Sequence, residues 1–392
     1  MGYLIQSESD ARLTAVRKIL EEKNLDAALV YYDELNIANG WYLTGWCPQF
    51  ESGAVLVPRH GTPLLLGGPE SEPFAKQDSA VKETRNFPVF MVPDEEYPAA
   101  TILSFDQLFE ELNRELGSFK SLGIVGGAQM PYGCRQALEA GLKGVAISDI
   151  SEEFLHLRYI KSPWERGEMR KAFAISDVCY DAMKAAIQPG QMEIQVAAAG
   201  EYAARSRGAN GFGFTAIVGS GVRGNAVVPT ATTKVLQAGE MVMIGLSPKV
   251  SGYNGVIGDT LPVSGEYTPR QKECMKYLRE AFCLTKEVLK VGKSGQEVDA
   301  PARAYFDKLG FAKYLVCPFV HTTGLNEAEA PFFGPNSKDI LLPGMTVSID
   351  VSFFGHPEFN GVRIETVYEM TEQGPIAYSP KLDAIHTNLT DF

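Results

Sequence analysis

The chain has 392 residues, more than one domain usually holds, so two domains are expected, each large enough for its own core. Hydrophobic residues make up 45% and charged residues 21%, which fits a globular protein and excludes a disordered or low-complexity polymer. A formal net charge of -12 excludes a non-specific grip on nucleic acid, whose phosphates demand a basic face.

The opening stretch MGYLIQSESDARL lacks the apolar run of a signal peptide, and no later run reaches the ~20 apolar residues that span a bilayer. A soluble, cytoplasmic protein is therefore expected. Cys47, Cys134, Cys179, Cys274, Cys283 and Cys317 are scattered with no CxxC spacing and read as buried reduced thiols.

Between Asp10 and Asn24 the residues Leu13, Val16, Ile19 and Leu20 fall on one helical face, and residues 26–32 follow as a buried strand. Apolar runs broken by Gly and Pro then suggest strands joined by tight turns. They alternate with helical segments near Phe105 to Leu116 and Arg135 to Leu142, so residues 1–155 read as an α/β domain.

Ser162 supplies an N-cap, Pro163 a first-turn residue and Glu165 an acid in the same turn, predicting a helix that runs to Pro189-Gly190. A helix from Glu193 to Ser206 follows, then strands at 212–219, 239–247 and 253–263. Helices from Pro269 to Val291 and Val298 to Lys308 precede strands at 345–353 and 361–371. Helices with an antiparallel sheet make residues 156–392 an α+β domain.

Of the five histidines, His60 and His386 read as exposed and His156 as packed in the core. His321 differs, because the apolar run YLVCPFV gives out at it into HTTGLNEAEAPFFG, placing an imidazole at a strand end beside a glycine loop. Asp350 in MTVSIDVSF and Glu365 in GVRIETVYEM are acids inside apolar strands. Period two puts Ser348 and Ser352 beside Asp350, and Arg363 beside Glu365, which makes a polar patch fit to hold a small zwitterion or to pair internally. The alternative is a solvated strand face.

NLDAALVYYDELNIANGWYLTGW, LRYIKSPWERGEMRKAFAISD, AIQPGQMEIQVAA, HTTGLNEAEAP, LPGMTVSID and GVRIETVYEMTEQGP, in this order, resemble the creatinase, prolidase and aminopeptidase P family over nearly the whole chain. The resemblance implies an α+β pita-bread C-terminal catalytic domain preceded by an α/β creatinase-type N-terminal domain. It also implies a homodimer in which the N-terminal domain covers the partner's active-site mouth.

Metal-dependent members of that family hold two ions through two aspartates, a histidine and two acids, with two further histidines assisting. The resemblance places the ligand histidine on His321, the acids on Asp350 and Glu365, and the aspartates on Gly245 and Val256, in the hairpin GEMVMIGLSPKVSGYNGVIGDTLPV. The assisting histidines fall on Ala328 and Val228, and a glutamate that creatinase carries in this hairpin falls on Gly258. One histidine and two acids cannot bridge two ions. Three ligands leave a single-metal site open as an alternative.

The expectation from this comparison is a metal-independent, creatinase-like hydrolase without cofactor, cleaving a C–N bond in a small amidine, guanidine or cyclic amide. His321 would transfer the proton, Glu365 and Asp350 would orient it, and Asp259 would face the pocket as a replacement acid. Arg363, His356, Tyr253 and Phe332 would contact substrate, with Phe333 and Phe354 as further aromatic lining. Two other readings stand beside it: an Xaa-Pro dipeptidase or aminopeptidase P-like metallopeptidase, and a non-catalytic pita-bread binding protein.

Overall fold

The computed structural model describes residues 3–391, and the chain divides into two units between Arg158 and Tyr159, a few residues beyond the expected boundary. In the first unit, Ala27–Tyr32 is buried along its whole length because AALVYY is apolar on both faces. It occupies an inner position of a six-stranded mixed sheet, antiparallel to Gly53–Pro58 and parallel to Ser121–Val125. Ala27, Leu29 and Tyr31 share a core with Phe105, Leu108 and Phe109 of the helix Phe105–Leu116 and with Leu138 of Tyr132–Gly141.

The second unit is built from five longer helices, α1 (Pro163–Ala186), α2 (Glu193–Ser206), α3 (Pro269–Val288), α4 (Gly295–Lys308) and α5 (Pro380–Thr387), around an eight-stranded sheet. Its strands are β1 (Ile217–Ser220), β2 (Met241–Leu246), β3 (Ile257–Pro262), β4 (Val320–Thr322), β5 (Glu329–Phe332), β6 (Thr346–His356), β7 (Asn360–Thr371) and β8 (Gly374–Ala377). The spatial order is β5-β4-β6-β7-β3-β2-β1, with β8 also pairing to β7, and each pairing is antiparallel.

Strand parity decides which face does what. Val347, Ile349, Val351 and Phe353 of β6, with Val362 and Ile364 of β7, pack onto Leu278 and Phe282 of α3 and Ala302 and Phe306 of α4. Each such side chain contributes roughly 1.5–3 kcal/mol by leaving water. The alternate residues Ser348, Asp350, Ser352, Arg363 and Glu365 are thereby turned to the opposite face.

One cross-strand row on that face runs Gly245 (β2), Gly258 (β3), Glu365 (β7) and Asp350 (β6). A Cβ on Gly258 would stand 3.1 Å from the Glu365 Cβ and 3.4 Å from the Arg363 Cδ. The bare backbone there lets both side chains lie down against β3.

Helix α1 starts where the sequence places it. The Ser162 hydroxyl accepts from the Glu165 N–H at 3.2 Å and the Glu165 carboxylate accepts from the Ser162 N–H at 2.7 Å, a reciprocal cap. Ser162→Ala is expected to destabilise the protein by about 1 kcal/mol, read as a lower urea midpoint at unchanged slope.

Two histidine expectations fail. His386 is fully buried, because the tail folds back as α5 and lays its ring edge-on against Phe282. His156 is exposed, because Phe154 takes the core position of its short helix. All six cysteines are free thiols, with Cys134, Cys179 and Cys274 buried and the other three half-buried. Among the described residues no helix is long and apolar enough to cross a membrane.

Candidate active site

Three adjacent strands bring the polar groups together. Register sets His321 of β4 opposite Ser348 of β6, and Asp350 of β6 opposite Glu365 of β7. One ligand atom each from His321, Asp350 and Glu365 lie within 4.8 Å of one another, and all three residues are buried. Ser348 Oγ donates to Glu365 Oε1 at 2.7 Å, and His321 Nε2 lies 3.6 Å from the same oxygen. His321 Nδ1 stands 3.0 Å from the Thr322 carbonyl, to which it donates, so Nε2 is the nitrogen turned to the acids.

Arg363 closes the other side. Its Nε is 2.9 Å from Asp350 Oδ1, Nη1 donates to the Val227 carbonyl at 3.1 Å, and the guanidinium lies 5.7 Å from the Phe354 ring centre. The Nε contact is close but lacks hydrogen-bond alignment, so Asp350 Oδ1 is buried in an ion pair without a hydrogen bond among the described residues.

The electrostatics follow from acids crowded in a dry place. Burial favours neutral His321, but Glu365, Glu327 and Asp350 outweigh it and carry the imidazole up to about 9. Burial likewise pushes Asp350 up to about 6 against the pull of Arg363. Burial alone would raise Glu365 too, yet the His321 and Ser348 contacts and the Arg363 charge hold it below the usual carboxylate range.

The fourth acid, Glu327, was not among the sequence candidates. Its Oε1 lies 4.0 Å from His321 Nε2, and burial with Glu365 and Asp350 nearby pushes it up to about 7. It sits in the loop between β4 and β5, where no periodicity flags it. The available signal was an acid next to Ala328, a position where the resemblance expects a histidine. Glu329 pins the same loop by accepting from the Asn326 N–H at 2.7 Å while its other oxygen lies 3.5 Å from Lys161 Nζ.

Of the other expected site residues, Phe332 stands at the rim, 46% exposed, with its ring 6.0 Å from that of His321. Asp259 does not face this pocket. Gly258 pairs with Glu365 on the polar face, so parity turns Asp259 to the opposite side, where it accepts from Tyr180. His356 caps the far end of the β6–β7 hairpin, accepting from the Glu358 and Phe359 N–H groups and stacking on Phe359. Tyr253 is buried and donates to Glu165 at 2.7 Å, a packing role. Phe333 belongs to the core, and Phe354 backs Arg363.

A histidine and two acids converging from three strands of an antiparallel sheet define a hydrolase-type pocket with the donor set of a metal site. Residues 167–372 match the metallopeptidase family M24, and residues 12–160 match the Creatinase/Prolidase N-terminal domain. The chain belongs to metallopeptidase family M24, with a pita-bread catalytic domain behind a creatinase-type N-terminal domain.

It is 29% identical over 364 residues to a Xaa-Pro dipeptidase of Pyrococcus horikoshii, covering 92% of this chain and 95% of that protein. It is 31% identical over 254 residues to the uncharacterized peptidase YqhT of Bacillus subtilis, covering 64% of this chain and 71% of that one. The solved prolidase from Pyrococcus horikoshii superposes with a TM-score of 0.80 at 25% identity, covering 94% and 97% of the two chains.

These relatives overturn the expected metal-independent, creatinase-like hydrolase of amidines, guanidines or cyclic amides. Full-length similarity runs to proteins named Xaa-Pro dipeptidase, within a family of metallopeptidases. The donor set agrees with them for one ion. With Nδ1 committed to the Thr322 carbonyl, His321 Nε2 faces the carboxylates of Asp350 and Glu365, a donor set that a divalent cation fits. Beside Glu365 the cross-strand neighbours Gly245 and Gly258 carry no side-chain ligand.

Proposed function

We propose that this chain is a metallopeptidase of the Xaa-Pro dipeptidase type that works with one divalent cation held by His321, Asp350 and Glu365. The observation that carries the reading is the convergence of these three ligand atoms within 4.8 Å in a buried pocket. Such an ion, when bound, polarises a peptide carbonyl and brings a water within reach of deprotonation near neutral pH.

The chain's own groups do the rest. Thr322 fixes the His321 ring through its carbonyl, so that Nε2 stays on the ligand side. Arg363 offsets one of the crowded acids and keeps Asp350 in place. Glu327, in the loop between β4 and β5 and 4.0 Å from His321, is the carboxylate we assign to hold the proton taken from water. Phe332 at the rim supplies an apolar surface for a pyrrolidine ring. Gly245 and Val256, where the resemblance places two aspartates, supply no carboxylate, so one ion per chain is the stoichiometry proposed. A homodimer belongs to the same reading and is tested by light scattering.

The deciding experiment is metal content by mass spectrometry together with turnover of Xaa-Pro dipeptides in added manganese or cobalt. One ion per chain and cleavage before proline are expected, and Glu327→Gln should keep the ion while losing turnover. A metal-loaded protein that leaves these peptides intact would refute the assignment.

A further inference from the structure

The first unit carries a cavity of its own, of about 320 Å³. That volume stands at the lower end of the roughly 300–1,000 Å³ of small-molecule sites. One wall is the turn that follows the helix Ala38–Thr44 and bears Trp46 and Phe50. The other runs from Glu70 and Ser71 into the short helix Glu72–Asp78, which bears Phe74. None of these residues takes part in the chemistry assigned above.

The two walls are fixed to each other. The Ala80 N–H donates to the Thr44 carbonyl at 2.8 Å. The buried Glu51 carboxylate accepts from the Glu70 N–H at 3.2 Å, from the Ser71 N–H at 3.0 Å and from the Ser71 hydroxyl. A Cβ on Gly68 would collide with Glu51 Oε1, so the missing side chain is what lets that carboxylate reach across. Phe50 sits at a φ of 63°, a left-handed conformation that bulky residues rarely adopt, and its N–H donates to Glu34 Oε2 at 3.3 Å. The turn thereby holds the Phe50 side chain out, 81% exposed, instead of folding it into the core.

The lining selects for charge. Trp46, Phe50 and Phe74 make no ring contact with one another or with a cation among the described residues, so their faces are open. The charged residues on the wall, Glu70 and Asp78, are both acids, and Glu70 has no ion pair among the described residues. Lys76, on the same helix as Phe74, is turned to Glu72 at 2.9 Å. Aromatic faces and an uncompensated carboxylate both attract positive charge, and neither attracts an anion. A primary ammonium needs acceptors for three N–H donors, and the Ser71 hydroxyl is already given to Glu51. A methylated ammonium needs no acceptor and spreads its charge over methyl groups that pack on rings.

We propose that this cavity binds a small quaternary ammonium compound, its methyl groups against Trp46, Phe50 and Phe74 and its charge facing Glu70.

The test is calorimetric titration of the full chain with choline chloride and, separately, with the uncharged carbon isostere in which tert-butyl replaces the trimethylammonium group. Saturable choline binding is expected, with the isostere at least about tenfold weaker. Phe74→Leu keeps apolar surface and removes the aromatic face, while Glu70→Gln removes only the charge. Both positions are exposed, so folding is not at risk, and each substitution should weaken choline severalfold. Equal affinities for choline and the isostere would make the cavity a merely apolar cleft and overturn the proposal. Absence of saturable choline binding overturns it as well, as does a choline affinity unchanged by both substitutions.

Discussion

Glu365→Gln is expected to lower kcat/KM for an Xaa-Pro dipeptide by about 10²–10⁴ and to weaken cation binding in the same protein. Glutamine keeps the volume and can still meet Ser348, so the strand pairing with Asp350 should persist. What disappears is the negative charge 3.6 Å from His321 Nε2. The imidazole then loses the neighbouring carboxylate that does most to raise it, and the cation loses one of two anionic ligands. Calorimetric titration of the metal-free variant with manganese separates the two losses, since weakened binding is measured without turnover. Full activity with unaltered metal affinity would place the reaction elsewhere.

The largest structural effect is expected far from that pocket. Glu193, in the first turn of α2, has no exposed surface, and its carboxylate accepts from Ser220 N and Oγ at 2.9 and 2.8 Å. It also accepts from Thr232 N and Oγ1 at 3.2 and 2.9 Å and from Arg223 Nε at 2.9 Å. Glu193→Ala strands these donors, and a loss of about 3–5 kcal/mol is expected in urea unfolding. Arg223 is 34% exposed and can turn to water, so most of that cost falls on Ser220 and Thr232.

The same carboxylate sets an acid limb. Burial works to raise it, but the bonds from Ser220, Thr232 and Arg223 win and hold it below the ordinary glutamate value. Its contribution is therefore complete above the unfolded pKa and is lost as pH falls through the folded one. The stability difference between wild type and Glu193→Ala should shrink across that acid window. A difference that stays constant would mean the carboxylate acts only by packing.

What could be read from the sequence was local. The helices at 105–116 and 193–206 fall on the expected bounds, and Ser348, Asp350 and Ser352 share a face because a strand alternates every residue. Asp259 defeated the same rule. Counting from the Gly-Tyr turn crosses the short strands Pro248–Val250 and Tyr253–Asn254, with Ser251 at a φ of 50°, and the face is settled only when Gly258 meets Glu365 from far along the chain. Glu327 lies in a loop, where side-chain direction follows no period. His386 went astray because a short tail segment gives little sign that it will cover a core.

Gly258 has no chemistry, yet it sets the spacing of the acids. Because it contributes no Cβ, the stems of Glu365 and Arg363 rest on its backbone, and a single added methyl would meet the Glu365 Cβ at 3.1 Å. Reactivity in this pocket can thus be dialled by substitution at a residue that touches neither proton nor substrate. Two chains with identical reactive side chains could differ in rate through this one position, and an inventory of functional groups would rank them as equals.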